Sequence, residues 1–548
     1  MSPNQEQAAA TAATAATAAA GAAGATQEPD LEIQSTPASP AAELSIQVLV
    51  DGDDDGPFLV NFEHNDPDDP RSFPAWRKIL ILVLTMLPEF WLNVISSIYS
   101  FGAYEVASEF GVGEVASKVP AAVFLFGFAV GPIFAAPLSE DYGRVPVMVI
   151  GLAVVALFQI GCALAQNLAT LIVLRFLAGC FGAVAFNSIG TVSDLWHSDH
   201  QGWGVNTFAL SAELGATAGP IIGAFIVKNA GWRWTFGVSG IVLAFLLAIF
   251  VLAVPETRAG VILARRAKRL RCDDNRYYAS HEKIRSQRTL PQLFKETVGR
   301  PLFMLFTEPI VFWFTLFDAV NYAVIYIFLI AYPLVFQQWG FDIGQQGLTF
   351  IGVLVGFLIA YGLFDLQLKW FRHAGTKRPR GIPTPEDRLL WGIPGGFLFP
   401  ISLFFFAWTS FPPVPWIVPI IAGGLFGVSS HTLFLIVSDY TVASYSIYAA
   451  SAIAAQSFLR EFMCGSFYLI TEIMYSNVGY QWASSILAFI GVPLSVIPLV
   501  FYKFGPTIRK RSSFAKELQI VEEREKRRRE KIGYRAGLLT AEAVQKTQ

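Results

Sequence analysis

Ionisable side chains interrupt several long apolar stretches of this sequence. Glu89, Arg175, Glu213 and Asp318 each lie among residues such as Leu, Ile, Val, Ala and Phe. A charged group at the centre of a lipid bilayer costs about 2.5–3.5 kcal/mol on insertion scales, so its presence there indicates a function. A carboxyl group near a fixed guanidinium can gain and lose a proton as its surroundings change. We predict that these residues couple proton movement to a conformational change; a purely structural ion pair is the alternative.

The two glutamates are preferred to Asp318 as the proton carrier, because their half of the chain also carries Arg175. His431 lies in another apolar stretch and could titrate near neutral pH, although a hydrogen-bonded packing histidine would give the same pattern. Arg460 and Glu461 are neighbours in a further apolar stretch. They are expected to pair with each other or to lie near a membrane interface.

The sequence lacks the motifs that other kinds of chemistry would need. No P-loop string occurs, the six histidines have no metal-ligand spacing, and no serine elbow or Cys/His pair stands out. Cys162, Cys180, Cys272 and Cys464 are scattered, which predicts free thiols. A net charge of -2 leaves no basic excess to neutralise nucleic-acid phosphates. We therefore expect no enzyme, no cofactor, no metal and no nucleic-acid partner.

The composition predicts that membrane-spanning helices position these side chains. Of 548 residues, 53% are hydrophobic and only 15% are charged, against roughly 25% charged residues in soluble proteins. A spanning helix needs about 20 mainly apolar residues to cross roughly 30 Å of hydrocarbon. The predicted spans are twelve segments: 79–101, 119–138, 145–165, 168–192, 204–227, 232–254, 309–335, 348–366, 391–411, 416–440, 449–473 and 482–504. They form two groups of six, so the predicted fold class is an all-α membrane protein.

Lys and Arg are concentrated on one side of these segments. The insert 255–300 holds twelve of them and the loop 367–390 holds six, whereas the connections 166–167, 412–415 and 474–481 hold none. Cytoplasmic loops carry the positive excess in membrane proteins. Both termini and the insert are therefore predicted to face the cytoplasm.

The predicted domains follow from these segments. They are a disordered cytoplasmic tail 1–75, a six-helix bundle 76–254, a cytoplasmic loop 255–307, a second six-helix bundle 308–504 and a basic cytoplasmic tail 505–548. The first 57 residues are rich in Ala, Thr, Pro and Asp and show no periodicity, which is typical of disorder. Residues 511–531 are expected to form a charged, solvated helix.

The string APLSEDYGRVP, residues 136–146, resembles a loop signature of the major facilitator superfamily. In that signature an acid and a basic residue latch the ends of the two halves, and Glu140, Gly143 and Arg144 match the acid, the turn glycine and the basic partner. Glycine permits the tight reversal, and Arg144 can pair with Glu140 or with helix-end carbonyls. Asp141 and Val145 stand where fungal relatives usually carry Arg, which implies a weaker latch.

The string GATAGPIIG, residues 215–223, lies in the fifth predicted span. Gly215, Gly219, Pro220 and Gly223 resemble the signature G-x-x-x-G-P-x-x-G that is associated with antiporters of the same superfamily. Glycines at this spacing let helices approach closely, and proline bends the span by removing a backbone hydrogen bond. The resemblance implies a bend that closes the bundle against proton leak. Ordinary helix packing is the alternative.

Further strings resemble the fungal drug:proton antiporters with twelve spans, a family of multidrug, polyamine and secondary-metabolite exporters. They are NDPDDPRSFPAWRK (65–78), EFGV (109–112), WRWTF (232–236), VPETRAGVILARRAKRLR (254–271), RPLFMLFTEPIV (300–311), AYPLVF (331–336), YAASAIAAQSFLR (448–460) and FYKFGPTIRKRS (501–512). One string departs from the family, because the acid before YAASA stands at Asp439, earlier than in relatives.

This resemblance implies a major facilitator fold with two six-helix bundles that rock around a midplane cavity. Arg175, in RFLAG, matches the buried arginine of the family's fourth span. Polar or aromatic residues on the spans that line the cavity in this fold are candidates for substrate contact: Asn93, Tyr99, Asn187, Asn321, Tyr322, Tyr326 and His431. The implied protein is a monomeric antiporter of the fungal plasma membrane. It exports amphipathic drugs, toxins or metabolites in exchange for protons.

Two other functions remain open at this stage. A transporter of the same fold could work as a uniporter or an importer, for polyamines or other small solutes, and its transport would survive a protonophore. A membrane sensor without transport activity would be expected to carry an extended soluble signalling region. The insert of about 50 residues offers no obvious room for one.

Overall fold

A computed structural model describes residues 58–63, 65–196, 201–272, 277–279, 298–376, 384–445, 448–512 and 514. The predicted disorder of residues 1–57, most of the predicted helix 511–531 and part of the predicted loop 255–307 lie outside the described residues. The described residues belong to two compact units, of which the larger comprises Asn65–Ile262 and Ile284–Gln548.

The smaller unit comprises described residues of Met1–His64 and Leu263–Lys283. Strands β1 (Phe58–Leu59) and β2 (Tyr277–Tyr278) pair in parallel. Val60 packs with Ala267 and Ala279 in a small apolar cluster. The sequence did not predict this unit, because strands of two residues are too short to show a periodic pattern.

The larger unit is built from helices, because a chain in lipid must pair its backbone polar groups within each segment. The helices of its first half are α1 (Ala75–Ser97), α2 (Ala103–Phe110), α3 (Glu114–Val130), α4 (Pro132–Tyr142), α5 (Arg144–Ala163), α6 (Leu168–Gly182), α7 (Asn187–Leu195), α8 (Gly202–Ala230) and α9 (Trp232–Ala253). Helix α10 (Ala259–Leu270) follows this half and belongs to the smaller unit from Leu263 onward, and α11 (Arg300–Thr307) precedes the second half.

The second half begins with the long helix α12 (Pro309–Phe336). The remaining helices are α13 (Ile343–Leu348), α14 (Ile351–Gly362), α15 (Phe364–Thr376), α16 (Gly392–Thr409), α17 (Ile417–Tyr445), α18 (Ala449–Val478), α19 (Tyr480–Ser495) and α20 (Ile497–Arg511). A short 3-10 helix, Pro385–Leu390, leads into α16. Each predicted span overlaps one of these helices or a consecutive pair of them.

The two halves share one internal arrangement. In the first half α1 packs on α8, α3 on α6 and α5 on α9. In the second half α12 packs on α18, α14 on α17 and α16 on α19. Counted as spans within each half, these are the first with the fifth, the second with the fourth and the third with the sixth. The fold is therefore two six-helix bundles of matching topology, which meet mainly along α3 with α18 and α8 with α13 and α14.

Ten helices among the described residues are long and apolar enough to cross a membrane. The pair α3 and α4, bent by 43° between Val130 and Pro132, makes an eleventh span if it is counted as one. Helix α18 accounts for the remaining predicted span and is 30 residues long. It is less apolar than the others because it carries Arg460, Glu461 and Glu472.

Candidate functional site

A cavity of about 820 Å³ opens between the two bundles at one end of the molecule. Its mouth is lined by Glu140, Arg144, Arg258, Arg388 and Asp439, and we call this end the Arg144 end. Charged residues at the mouth and aromatic residues within give the cavity a mixed surface. It suits a molecule with both polar and apolar parts.

The cavity reaches the middle of the bundles. Phe208, Phe434, Gln456 and Arg460 line its deepest part, which we call the cavity floor. Arg460 lies 11 residues after the start of α18 at Ala449, or roughly 16 Å along the helix axis at 1.5 Å per residue. That is about half the thickness of a hydrocarbon core. The floor therefore lies at the depth where the sequence predicted the coupling residues.

The opposite end is closed by contacts between the bundles. Lys228 near the end of α8 pairs with Asp342 before α13 across 2.7 Å, and Lys118 of α3 pairs with Glu472 of α18. The Lys228 ammonium donates to Asp342 and holds the pKa of that carboxyl below its usual range. We call this the Asp342 end. The structure is thus open at one end and closed at the other.

Arg175 is completely buried in the first bundle, and its guanidinium faces backbone rather than an acid. It donates to the carbonyl oxygens of Ile95, Pro120 and Ser96 at 3.0, 3.2 and 3.4 Å. Its guanidinium carbon also lies 4.3 Å from the ring centroid of Phe124. Among the described residues no carboxylate forms an ion pair with it, so the expected Arg175–acid pair is absent from this conformation. The carbonyl dipoles and the ring face stabilise its positive charge.

The guanidinium that does face acids is Arg460, on the cavity floor. It donates to Glu461 at 3.0 Å and lies 3.7 Å from Asp318 of α12. Gln456, also on the floor, donates to Asp318 at 2.9 Å. Two buried carboxyl groups share one positive charge, so one proton would leave the group electrically neutral. The sequence predicted that Arg460 and Glu461 could pair, but it did not indicate that Asp318 lies beside them.

Glu89 is buried in α1 and accepts a 2.5 Å hydrogen bond from Ser211 of α8. Both residues belong to the first bundle. Glu89 therefore lies at the predicted depth, but among the described residues no Lys or Arg forms an ion pair with it.

Glu213 joins the two bundles instead of facing Arg175. Its carboxylate oxygen lies 2.6 Å from Nδ1 of His431 in α17, and both side chains are fully buried. Nε2 of the same histidine lies 2.9 Å from the amide oxygen of Asn206. Ser430 donates to the other oxygen of Glu213 at 3.1 Å. The sequence identified Glu213 and His431 separately, but nothing in their spacing indicated that they meet.

Of the predicted substrate contacts, Asn187 lines the cavity. The others lie behind its wall: the hydroxyl of Tyr99 donates to Ser117, and Tyr326 shares a 2.8 Å hydrogen bond with Ser96 across the bundles. The ring of Tyr322 covers Arg460 at 4.7 Å. The remaining predicted contacts also bond within the protein: Asn93 to the backbone oxygen of Glu89, Asn321 to Ser430, and His431 to Glu213. In this conformation these side chains support the cavity wall.

The predicted gate loop lies at the cavity mouth. Gly143 ends α4 with φ of 110°, a conformation that glycine adopts without strain. Arg144 donates to Asp194 at 3.1 Å, and its backbone N–H donates to Glu256 at 2.9 Å. Glu140 lines the cavity beside them. Sequence reasoning missed Asp194 and Glu256, although the string VPETR places Glu256 at the same end of the bundle.

The predicted glycine motif brings α8 against α1. A β-carbon at Gly215, Gly219 or Gly223 would overlap the backbone or side chains of Phe90, Ser97 and Ile98 respectively. Pro220 lies within α8, which is 29 residues long. Helices α8 and α1 therefore approach each other closely at these three glycines.

Comparisons with known proteins place the fold and the site in context. A family model described as Major Facilitator Superfamily matches residues 81–468. The chain is 38% identical over 472 residues to the major facilitator superfamily multidrug transporter mdrA of Aspergillus fumigatus, covering 85% of this chain and 77% of that protein. It is 38% identical over 469 residues to the MFS-type efflux pump MFS2 of Trichophyton rubrum, covering 85% and 79%. It is 35% identical over 466 residues to the citrinin biosynthesis cluster MFS transporter mrr1 of Monascus ruber, covering 84% and 92%.

Among solved structures, the proton:xylose symporter XylE of E. coli matches with a TM-score of 0.58. The two sequences are 16% identical, and the match covers 79% of this chain and 96% of that one. At this identity the likeness concerns the fold alone.

Proposed function

The chain belongs to the major facilitator superfamily, among its fungal efflux transporters, and from that premise we propose that it exports small amphipathic molecules in exchange for protons. The family confirms the sequence prediction of a membrane transporter rather than an enzyme. The direction of transport, the proton coupling and the class of cargo belong to the proposal.

One observation carries it: the cavity is open at one end only, and its floor holds ionisable groups at mid-membrane depth. A transporter that alternates between two openings needs such a closed-ended cavity. An antiporter also needs a titratable group that makes the proton and the cargo compete. They compete either for the same site or for the same conformation of the protein. Asp318 with Arg460 and Gln456 on the floor, Glu89 and Glu213 supply the titratable carboxyl groups. Arg175 serves as a fixed charge that holds α6 against its neighbours.

We assign the Arg144 end to the cytoplasm, since Arg258 and Arg388 of the Lys- and Arg-rich segments line the cavity mouth there. With this assignment the protein is in an inward-open state, which can take cargo from the cytoplasm. Both termini lie in the cytoplasm of a monomer at the fungal plasma membrane, with bundles over 76–254 and 308–504 and a loop over 255–307. Glu140, Gly143 and Arg144 act as the cytoplasmic gate.

The mixed surface of the cavity supports an amphipathic cargo. Phe186, Phe208, Phe364, Trp370 and Phe434 provide aromatic walls, and the charged residues cluster at the mouth. The names of the fungal relatives, which include multidrug and metabolite-cluster transporters, support the same class. Asn187 is the proposed polar contact in this conformation.

The test uses the full chain in proteoliposomes with rhodamine 6G, a lipophilic cation, and with a neutral lipophilic dye. Vesicles containing inside-out protein should accumulate dye when the interior is acidic, and a protonophore should abolish the accumulation. Uptake that survives the protonophore would make the chain a uniporter. Movement of neither dye, together with no effect of either dye on the thermal stability of the protein, would contradict an exporter of amphipathic molecules.

A further inference from the structure

We propose that Glu213 and His431 form a proton-operated latch between the two bundles, which is closed only while the pair holds one proton between its two facing atoms. This inference rests on the proposed exchange of cargo for protons and names the site that links the proton to the movement of the bundles.

The latch occupies the middle of both helices that form it. Glu213 lies 11 residues after the start of α8 at Gly202, and His431 lies 14 residues before the end of α17 at Tyr445. These separations correspond to roughly 16 and 21 Å along the helix axes. Phe208 and Phe434, about one turn nearer the mouth, line the cavity floor. The pair therefore lies directly beyond the floor, where the two bundles still touch.

The hydrogen bonds around the pair run in one direction. The amide of Asn321 donates to the hydroxyl of Ser430 at 3.1 Å, and that hydroxyl donates to Oε1 of Glu213 at 3.1 Å. On the other side the amide nitrogen of Asn206 donates to the carbonyl of Tyr361 at 3.5 Å. The amide oxygen of Asn206 is then left to accept from His431. With the amide of Asn206 in this orientation, Nε2 of the histidine carries the proton.

A histidine that donates from Nε2 has a proton on Nδ1 only if it is the imidazolium ion. Nδ1 and Oε2 of Glu213 lie 2.6 Å apart. The contact therefore needs one proton, either as imidazolium with carboxylate or as neutral imidazole with a carboxylic acid. Without that proton, a nitrogen lone pair faces an ionised oxygen at hydrogen-bond distance, and the two repel.

Little else near the pair could offset the loss of the proton. Among the described residues no Lys or Arg forms an ion pair with Glu213. Asp318 of α12 lies within electrostatic range and is another acid, and the hydroxyl-bearing ring of Tyr361 in α14 lies 6.5 Å from the imidazole. Glu89 of α1 is bonded to Ser211, and Arg460 of α18 pairs with Asp318 and Glu461. Release of the proton leaves a buried carboxylate without a cation, which favours separation of α8 and α17.

The direction of this effect matches an exporter. The structure, open at the Arg144 end, holds the latched state, so the proton enters while the other end is open and leaves toward the Arg144 end. Its departure frees the bundles to swing with cargo. Protonation of the pair joins the two bundles, and loss of the proton lets them separate.

Two substitutions make opposite predictions. In Glu213→Gln the side-chain amide donates to Nδ1 and its oxygen accepts from Ser430, so the latch closes without a dissociable proton. In His431→Leu the latch is lost at every pH. Ser429→Ala is the matched control, because Ser429 is the neighbour of Ser430 and donates only within the second bundle, to the carbonyl of Gly395.

The experiment is hydrogen–deuterium exchange of the full chain in lipid nanodiscs, from pH 5.5 to 8.5, corrected for intrinsic exchange. The reporters are α13 at the Asp342 end and α7 at the Arg144 end. With rising pH, wild type and Ser429→Ala should gain exchange at α13 and lose it at α7. Glu213→Gln should keep the low-pH pattern throughout, and His431→Leu should keep the high-pH pattern. A general rise at both ends would identify a folding defect in that variant, and the other variant then decides.

A wild-type transition that persists unchanged in Glu213→Gln, or no transition in wild type, would overturn the latch. No cargo is present in this experiment. If the latch is observed but dye accumulation in proteoliposomes does not depend on the proton gradient, the proposed function fails and the latch remains. If accumulation depends on the gradient but Glu213→Gln transports and titrates like wild type, the latch alone fails.

Discussion

Asp318 and Arg460 lie 3.7 Å apart, carboxylate oxygen to guanidinium nitrogen, at the floor of the cavity. The same guanidinium is already bonded to Glu461, and Oδ1 of Asp318 is buried without a hydrogen-bond partner among the described residues. One cation thus faces two acids beside the cavity. Such an arrangement holds a proton or a cationic cargo more readily than a balanced pair does.

Asp318→Asn should leave a balanced pair of Arg460 and Glu461 and remove one titratable group. If Asp318 contributes to coupling, dye accumulation driven by a pH gradient should fall at least about tenfold, equivalent to about 1.4 kcal/mol in the barrier. Exchange of dye between two sides at equal pH should continue. Asp439→Asn, which removes a carboxylate at the cavity mouth, is the control and should retain gradient dependence. Equal losses in both variants would contradict a specific role for Asp318.

Arg175→Gln should lower the stability of the first bundle. Its guanidinium satisfies three buried carbonyl oxygens, and a buried polar group left without its partner costs about 1–3 kcal/mol. Arg175→Lys keeps the charge but cannot reach all three, so its melting temperature should lie between those of wild type and Arg175→Gln. Thermal unfolding in detergent, followed by loss of the monodisperse peak, measures the order. Efflux by the folded fraction of Arg175→Lys should still follow the pH gradient, since no acid pairs with Arg175 in this conformation. A stable but uncoupled Arg175→Lys protein would restore the role that the sequence predicted for it.

Glu89→Gln tests the other glutamate of the first bundle. Glu89 accepts from Ser211 and forms no ion pair with a described Lys or Arg, and glutamine can accept the same bond, so the fold should be retained. Efflux under a maintained pH gradient then reports on titration alone. A rate equal to wild type would remove Glu89 from the coupling residues and leave Glu213 and Asp318.

Gly219→Ala should destabilise the contact of α8 with α1. The added β-carbon would overlap the Ser97 hydroxyl and lie 2.9 Å from the carbonyl oxygen of Val94. Overpacking of this kind costs about 1–3 kcal/mol. Gly362→Ala is the matched control, because a β-carbon there meets nothing within 4 Å. Thermal unfolding of the two variants in the same detergent should separate them, and equal melting temperatures would show that α1 and α8 can move apart without cost.

The pair Lys228–Asp342 should tolerate acid. Because Lys228 lowers the pKa of Asp342, the pair contributes above the pH at which an unpaired aspartate ionises, and the contribution is lost only as the pH falls through the lowered pKa. Below about pH 5.5, where the proposed latch is closed, hydrogen exchange of α13 should therefore stay slow to below about pH 3.9, the ordinary value for aspartate. Asp342→Asn should exchange faster over the same range. Both side chains are about half exposed, so the difference should shrink at high salt. An identical profile in the variant would show that the pair does not hold this end closed.

The sequence by itself determined the membrane fold and much of its detail. Twelve apolar segments, a basic insert and the glycines of α8 each act locally: burial of apolar residues in lipid requires helices, and a glycine spacing permits close approach. The depth of Glu89, Glu213 and Asp318 also followed from counting residues along helices. The loop signature also identified Gly143 as a turn glycine and Arg144 as the basic residue beside it.

Only the tertiary structure decided which charges meet. Arg175 donates to backbone carbonyls because α6 packs on α3, which brings its guanidinium within reach of the oxygens of Pro120 in α3 and Ile95 in α1. Arg460 instead pairs with Glu461 and Asp318. Glu213 contacts His431, which lies 218 residues away along the chain. A sequence gives the depth of a side chain within its own helix. The direction in which the side chain points depends on the rotation of that helix and on its neighbours, and those are set by packing over the whole bundle.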